Sequence, residues 1–382
     1  MHICIITHEY PKPGFVHGGI GSFVKTLAPK LVQNGVKVTI VGLNYENEYE
    51  YVEDRGVKIY RLNYKNINKL GWYFGAKATS QKIAEIHKND PIDVVEASEL
   101  GLFCIDKIKN IKYVIRLHGG HHFFAESENR KINFWKGFQE KRSFKKADAF
   151  IPVSNYVKIH TNKFLSFNNK PVELINYPID IDFFSPKNAV VKKHSIVFVG
   201  SVCEKKGVRQ LIQSFPYIKK QFPDATLEFY GREWFYPDGT SYTTMLTEVE
   251  LPKLGELSKD IYFHGLVDYD KIPEKYAMAH VCVFPSHMET QGLVAPEAMA
   301  MKKVVVFTKE GPGPETIAEY ETGLLCDPFN PENIAEKINW VFSNEAKAIE
   351  IENNARTFVL EKFSADKITK KNIDFFNSLI KN

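Results

Sequence analysis

Paired cysteines are missing from this sequence. Its five (Cys4, Cys104, Cys203, Cys282, Cys326) are odd in number and scattered, and none stands in a CxxC pair. Several lie in apolar runs such as HICIIT and HVCVFP, where Cys behaves as a small hydrophobe. This excludes a disulfide framework and a zinc site, and it points to a reducing cytoplasm. No apolar stretch approaches the roughly 20 residues that cross a bilayer, and no basic n-region precedes an apolar one; a soluble, cytoplasmic protein is expected. His121-His122 has no third ligand at metal spacing, and no DxD follows a strand, so no metal or cofactor is expected. The glycines of HGGIGSF (17–23) miss the GxGxxG pattern. No carboxylate ends the next strand, TIVGLN, to hold a ribose, which speaks against a nicotinamide site.

What is there is too long, at 382 residues, for one ordinary core, so two domains are expected. Lys and Arg exceed Asp and Glu by eight over residues 1–180, and the remainder runs four to the acidic side, within a net charge of +4. Such a split suggests a basic, partner-facing first domain and an acidic second one. HICIIT, KVTIVGL, GVKIYRL, IDVVEAS, YVIRLHG and AFIPVS alternate with helical stretches, one over 70–88. A second series follows with SIVFVGS, ATLEFYG, IYFHG, HVCVFPS, KVVVFT and TGLLCD. Strand–helix alternation of this kind predicts parallel, doubly wound sheets. Residues 176–195, with Pro178 and Pro186, read as a linker. Ligands of such sheets lie at the carboxyl ends of the strands, so the chemistry is sought there.

Four segments qualify. HGGIGSF follows the first strand and could bring backbone N–H groups to a phosphate; a tight strand-to-helix turn would read the same. In VGSVCEKKGVRQLI (199–212), Lys206 at a helix start could neutralise a phosphate, although a solvated turn lysine is the commoner case. His118 in RLHGG stands just past a buried strand of the first domain. The richest segment is PSHMETQGLVAPEAMAMKKVVV (285–306). Pro296 fits only the first turn of a helix, which starts it near Gly292 or Leu293. Glu289 then precedes the helix and Glu297 lies one turn inside, with the N–H groups of Thr290 to Leu293 between them. A carboxylate facing an anion there would be repelled, so each Glu is read as gripping hydroxyls on either side of a phosphate, one set from a ribose and one from a sugar.

Taken together and in order, GGIGSFVKTLAPKL, RLHG, FKKADAFIPVS, FVGS…EKKGVRQLI, YFHGLV, FPSHMETQGLVAPEAMAMKKVVV, GPGPETI and TGLLCDPFNPENIAEKI resemble the retaining nucleotide-sugar glycosyltransferases of family 4 (group 1). The resemblance implies the GT-B fold, two Rossmann-like doubly wound domains facing across a cleft. The first, over 1–180, would take the acceptor, with a last helix over 364–382 returning to it; the second, over 190–363, would take the donor. It also implies transfer from a nucleoside diphosphate sugar, with UDP favoured and GDP second, to a carbohydrate or lipid-linked hydroxyl in surface polysaccharide or glycolipid assembly. Nucleic acid is not among the implied partners. Carried over by position, Gly19 lies beside the donor pyrophosphate, His118 near the transferred sugar and the acceptor, and Lys206 on the pyrophosphate. Glu289 holds sugar hydroxyls, the backbone of Thr290, Gln291, Gly292 and Leu293 caps phosphate, Glu297 holds the ribose and Val267 lines the base. Ser201 stands where the family often has Arg, a lost cation that Arg232 or Arg209 would have to replace, and Thr290-Gln291-Gly292 replaces the usual Gly-Phe-Gly. The alternatives are a nucleotide-sugar-binding subunit without transfer activity and a phosphorylase or epimerase of the same architecture.

One segment stands apart. RKINFWKGFQEKRSFKK (130–146) holds seven Lys or Arg against one Glu, with Phe134, Trp135, Phe138 and Phe144 interleaved. A basic amphipathic helix with aromatic anchors can lie on anionic lipid headgroups. The competing expectation is that these aromatics pack on the sheet.

Overall fold

In a computed structural model, residues 1–63, 70–128 and 130–381 are described. The chain divides into two compact units, one formed by Met1–Pro178 with Ala365–Asn382 and one by Ile179–Ser364. No described helix is long and apolar enough to cross a membrane.

The first unit is built on a seven-stranded sheet of β1 (His2–Ile6), β2 (Lys37–Leu43), β3 (Glu50–Asp54), β4 (Val57–Leu62), β5 (Val94–Ala97), β6 (Lys112–Leu117) and β7 (Ala149–Pro152). Their spatial order is β3-β4-β2-β1-β5-β6-β7. All pairs are parallel except β3 with β4. The chain winds outward from β1 to β4 on one side and from β5 to β7 on the other, so a switch point opens between β1 and β5. Among the described residues, β3 is the one strand that the apolar runs did not announce. Its sequence EYVED is polar, and only a hairpin turn at Arg55-Gly56, both at positive φ (49° and 79°), returns it to the edge.

Helix Gly19–Gln33 buries Phe23, Val24, Leu27, Ala28 and Leu31, a spacing that gives one apolar stripe. Against it lies helix Ala365–Lys381, joined by Lys30 to Asp366 at 2.8 Å. Deeper in the same unit, the fully buried guanidinium of Arg116 donates twice to Glu96, at 2.8 and 2.9 Å, and once to Asn372 Oδ1 at 2.5 Å. It also lies 4.7 Å from the centre of the Phe23 ring. One cation thus fastens β5, β6, the first helix and the last.

The second unit contains a six-stranded, all-parallel sheet of β8 (Ser195–Val199), β9 (Thr226–Tyr230), β10 (Ile261–Phe263), β11 (Val281–Phe284), β12 (Val304–Thr308) and β13 (Leu324–Cys326). The order β10-β9-β8-β11-β12-β13 puts the switch point between β8 and β11. Strands β8, β11 and β12 are buried along their whole length, as expected of parallel strands covered on both faces.

Residues 176–195 are a linker only in part. Tyr177, Ile179 and Phe184 are buried, the Ile179 N–H donates to Phe363 at 2.8 Å, and Phe183 stacks on Tyr269. The aromatic side chains and Ile179 pack, and the chain is continuously exposed from Pro186 to Lys193, where Val190 and Val191 face solvent.

Replacing Arg116 with Met should leave Glu96 charged and unanswered in the interior, costing about 3–5 kcal/mol. Asn372→Ala removes one neutral acceptor and should cost about 1–3 kcal/mol. Urea denaturation followed by circular dichroism measures both, and an Arg116→Met midpoint equal to that of the parent would refute this role.

Candidate functional site

The switch point of the second unit brings together residues 83 apart in sequence. After β8 the chain makes one turn of 3₁₀-helix, Glu204–Lys206, and enters helix Val208–Lys219 through Gly207 at φ 70°. A Cβ at 207 would stand 1.9 Å from the Pro285 carbonyl oxygen, so only glycine lets this turn lie against the segment after β11. The His287 N–H donates to the Lys205 carbonyl at 2.9 Å and closes the contact. Lys206 Nζ is thereby held 2.5 Å from Glu289 Oε1, which also accepts from Ser286 Oγ at 2.8 Å.

Beyond Glu289 the backbone passes through Gly292 at φ 77°, where a Cβ would stand 2.6 Å from the Phe307 ring. Helix Val294–Ala300 follows, with Leu293 at its N-cap and Pro296 in its first turn. Gln291 and Gly292 are buried, and Thr290 and Leu293 half-buried. Glu297, on that helix, is buried and accepts a hydrogen bond from the Tyr276 hydroxyl at 3.3 Å. Burial raises its carboxyl to about 7, against a smaller lowering by the Tyr276 bond.

Ser201 does not stand alone. Arg232, two residues past β9, donates through Nε to Ser201 Oγ at 3.0 Å, which brings a guanidinium beside position 201. Arg209 is committed elsewhere, held by Glu204 at 2.5 Å, and that carboxylate also takes the Tyr242 hydroxyl at 2.6 Å. Val267, just past β10, is half-buried against the core of the unit.

In the first unit, β6 delivers His118 to a cavity of about 210 Å³ at the β1/β5 switch point, lined also by Thr7, Glu9, Thr79 and Ser98. His118 Nδ1 lies 2.6 Å from the Tyr177 hydroxyl, and the two rings stack at 14°. Burial and then the Arg116 charge lower its imidazole to about 3, so it is neutral at physiological pH. In the glycine-rich turn, Gly19 is exposed as the first residue of helix Gly19–Gln33, whereas the Gly18 N–H is taken by Glu9 Oε2 at 2.9 Å. That part of the motif serves the turn itself.

Sequence reasoning did not find Tyr177, Ser286, Tyr276 or Glu99. Glu99 is buried, accepts from the Gly119 N–H at 2.7 Å and is raised to about 8, chiefly by burial. Ser286 lies within the 285–306 segment but was not singled out there; the other three are placed by tertiary contact, and an unexpectedly buried acid becomes visible only once burial is known.

For Glu297 the pH dependence has a definite sign. A carboxyl raised from 4.5 to about 7 on folding stabilises the fold below its unfolded value and loses that contribution as pH climbs through 7. Compared with Glu297→Gln, the nucleotide-free parent should lose on the order of 2–3 kcal/mol between pH 4.5 and 7.5. Urea titrations of the two proteins across that range measure the difference, and parallel curves would place Glu297 outside this accounting.

Comparison with known proteins follows the same division of the chain. The family model described as Glycosyl transferases group 1 matches residues 180–358, and that described as Glycosyltransferase Family 4 matches residues 17–183. An uncharacterized glycosyltransferase of Methanocaldococcus jannaschii is 28% identical over 98% of each chain. Sucrose-phosphate synthase from Thermosynechococcus elongatus aligns in structure with a TM-score of 0.84 at 21% identity, covering 99% of this chain and 98% of the other. Anabaena HepE, solved in complex with UDP-glucose, aligns with a TM-score of 0.78 at 17% identity, covering 99% and 100%.

Proposed function

Because the chain belongs to the group 1 and family 4 glycosyltransferases, with the GT-B fold, we propose that it moves a sugar from a nucleoside diphosphate sugar to an acceptor hydroxyl with retention of configuration. UDP is favoured as the nucleotide, in line with the UDP-glucose complex of the Anabaena protein, and GDP is the second choice. The acceptor is a carbohydrate or a lipid-linked sugar, in the assembly of a surface polysaccharide or glycolipid.

The observation that carries this reading is the Lys206–Glu289 pair at the β8/β11 switch point. An ammonium has three donors, so Lys206 can keep Glu289 and still meet a phosphate oxygen. Arg232 beside Ser201 supplies the second cation. Both would stabilise charge that grows on the diphosphate as the bond from the sugar's C1 to the phosphate oxygen breaks. The bond from C1 to the acceptor oxygen forms on the same face, and the acceptor proton passes to the departing phosphate oxygen, so no protein nucleophile is required. Glu289 orients the sugar hydroxyls and Glu297 the ribose, Thr290 to Leu293 approach phosphate with their backbone, Gly19 stands beside the pyrophosphate and Val267 lines the base. Neutral His118 is held at Nδ1 by Tyr177 and offers its other ring nitrogen on the acceptor side. The proposal requires no metal. A binding subunit without transfer activity would rest on the missing cation at Ser201; Arg232 beside it supports the transferase reading instead.

Lys206→Ala should weaken binding of UDP by about 1.5–3 kcal/mol, the range for a charged hydrogen bond. Arg232→Ala should do the same, and Arg209→Ala should leave affinity unchanged. Glu289→Ala should spare UDP affinity and abolish turnover of the sugar donor. Isothermal titration with UDP, and release of UDP from UDP-sugars with carbohydrate and lipid-linked acceptors, test these expectations. Undiminished UDP affinity in a folded Lys206→Ala protein would overturn the site.

A further inference from the structure

Helix Phe134–Lys146 divides its residues sharply. Gly137, Glu140, Ser143 and Phe144 face inward, and Phe144 packs on Phe150 with ring centres 5.0 Å apart. Glu140, the one acid between residues 130 and 146, is fully buried, where it accepts from the His121 and His122 N–H groups at 2.6 and 3.0 Å. What the helix sends outward is cationic and aromatic. Lys131, Lys136, Lys141, Arg142 and Lys145 are exposed. So are Phe134 (86%), Trp135 (43%) and Phe138 (43%). The expectation that the four aromatics of this segment pack on the sheet therefore holds for Phe144 alone.

They are not scattered. Trp135 stacks on Phe138 and meets Trp72 edge-on at 5.3 Å, and Phe103 touches all three rings. Trp72 and its neighbour Tyr73, both exposed, open helix Gly71–Asn89. The facet is therefore assembled from two helices and the segment after β5, with Arg142 5.5 Å from the centre of the Phe103 ring.

We infer that this aromatic and cationic facet of the first unit docks on an anionic lipid bilayer. Aromatic rings of this kind settle at headgroup depth, while Lys and Arg draw the surface to anionic lipid and release when salt screens them. A second copy of the chain is a poor occupant, because self-pairing would press five cations against five. The inference does not rest on the assignment of the donor site.

The test uses the full chain in vesicle flotation, with phosphatidylcholine alone or mixed with phosphatidylglycerol, at about 0.1 M and about 1 M salt, where the Debye length falls from about 10 Å to about 3 Å. Binding should require phosphatidylglycerol and low salt. It should fall at least about tenfold in the Lys131→Glu, Lys136→Glu, Lys141→Glu, Arg142→Glu protein. It should fall several-fold in Phe134→Ser, whose melting temperature stays that of the parent because the ring touches little. No flotation with anionic vesicles at low salt overturns the inference. So does binding that neither variant weakens, or self-association by light scattering that the same substitutions abolish in place of vesicle binding.

Discussion

The guanidinium of Arg116 has no water to speak to, so its charge has to be answered inside the protein. Glu96 answers it from the adjacent strand, Asn372 from the last helix and Phe23 from the first. Such an arrangement tolerates little misregistration, because a lost partner would leave a bare charge in a low dielectric. The consequence reaches two residues further, to His118. The same charge, added to burial, keeps that imidazole neutral, and Tyr177 fixes its orientation. Burial sets the state of that imidazole first, and the charge beneath the cavity reinforces it.

The second unit solves the matching problem with glycine. Gly207 removes a Cβ that would collide with Pro285, and the two loops that leave β8 and β11 can then touch. Lys206 and Glu289 are the product of that contact. In the role proposed for Lys206 such preorganisation would matter, since a lysine already held in place does not have to be ordered as charge develops. Arg232 reaches Ser201 by a comparable route, from two residues past β9.

Most of the fold was legible in the sequence because parallel strands buried on both faces write themselves as continuous apolar runs. Each of the twelve runs read as strands is one, and among the described residues only polar β3, returned by a hairpin at the edge, escaped. The helix start ahead of Glu297 was legible from Pro296, because proline's missing N–H favours a first turn, although Pro29 and Pro216 lie inside helices of this chain. Candidate site residues could be picked out where residue type and strand end coincide, as at Lys206, Glu289 and His118. It was not legible where a partner comes from elsewhere in the chain. Nothing local marks Tyr177 as the partner of His118, and the choice between Arg232 and Arg209 turned on Glu204 and Tyr242, whose own positions are tertiary. The linker reading of residues 176–195 held only in part for a related reason: the boundary between the units falls within it, but its prolines signal irregular backbone, and irregular backbone can still be packed.

The first unit is discontinuous in sequence, since Ala365–Lys381 lies against Gly19–Gln33 and supplies Asn372 to Arg116. The second unit is one uninterrupted segment, Ile179–Ser364. During synthesis the amino-terminal sheet is made first yet remains without its closing helix until 186 further residues, the whole of the second unit, have been added. The later-made unit can therefore finish folding before the earlier one, and a ribosome stalled anywhere before Asn372 holds a first unit whose buried arginine is still one partner short.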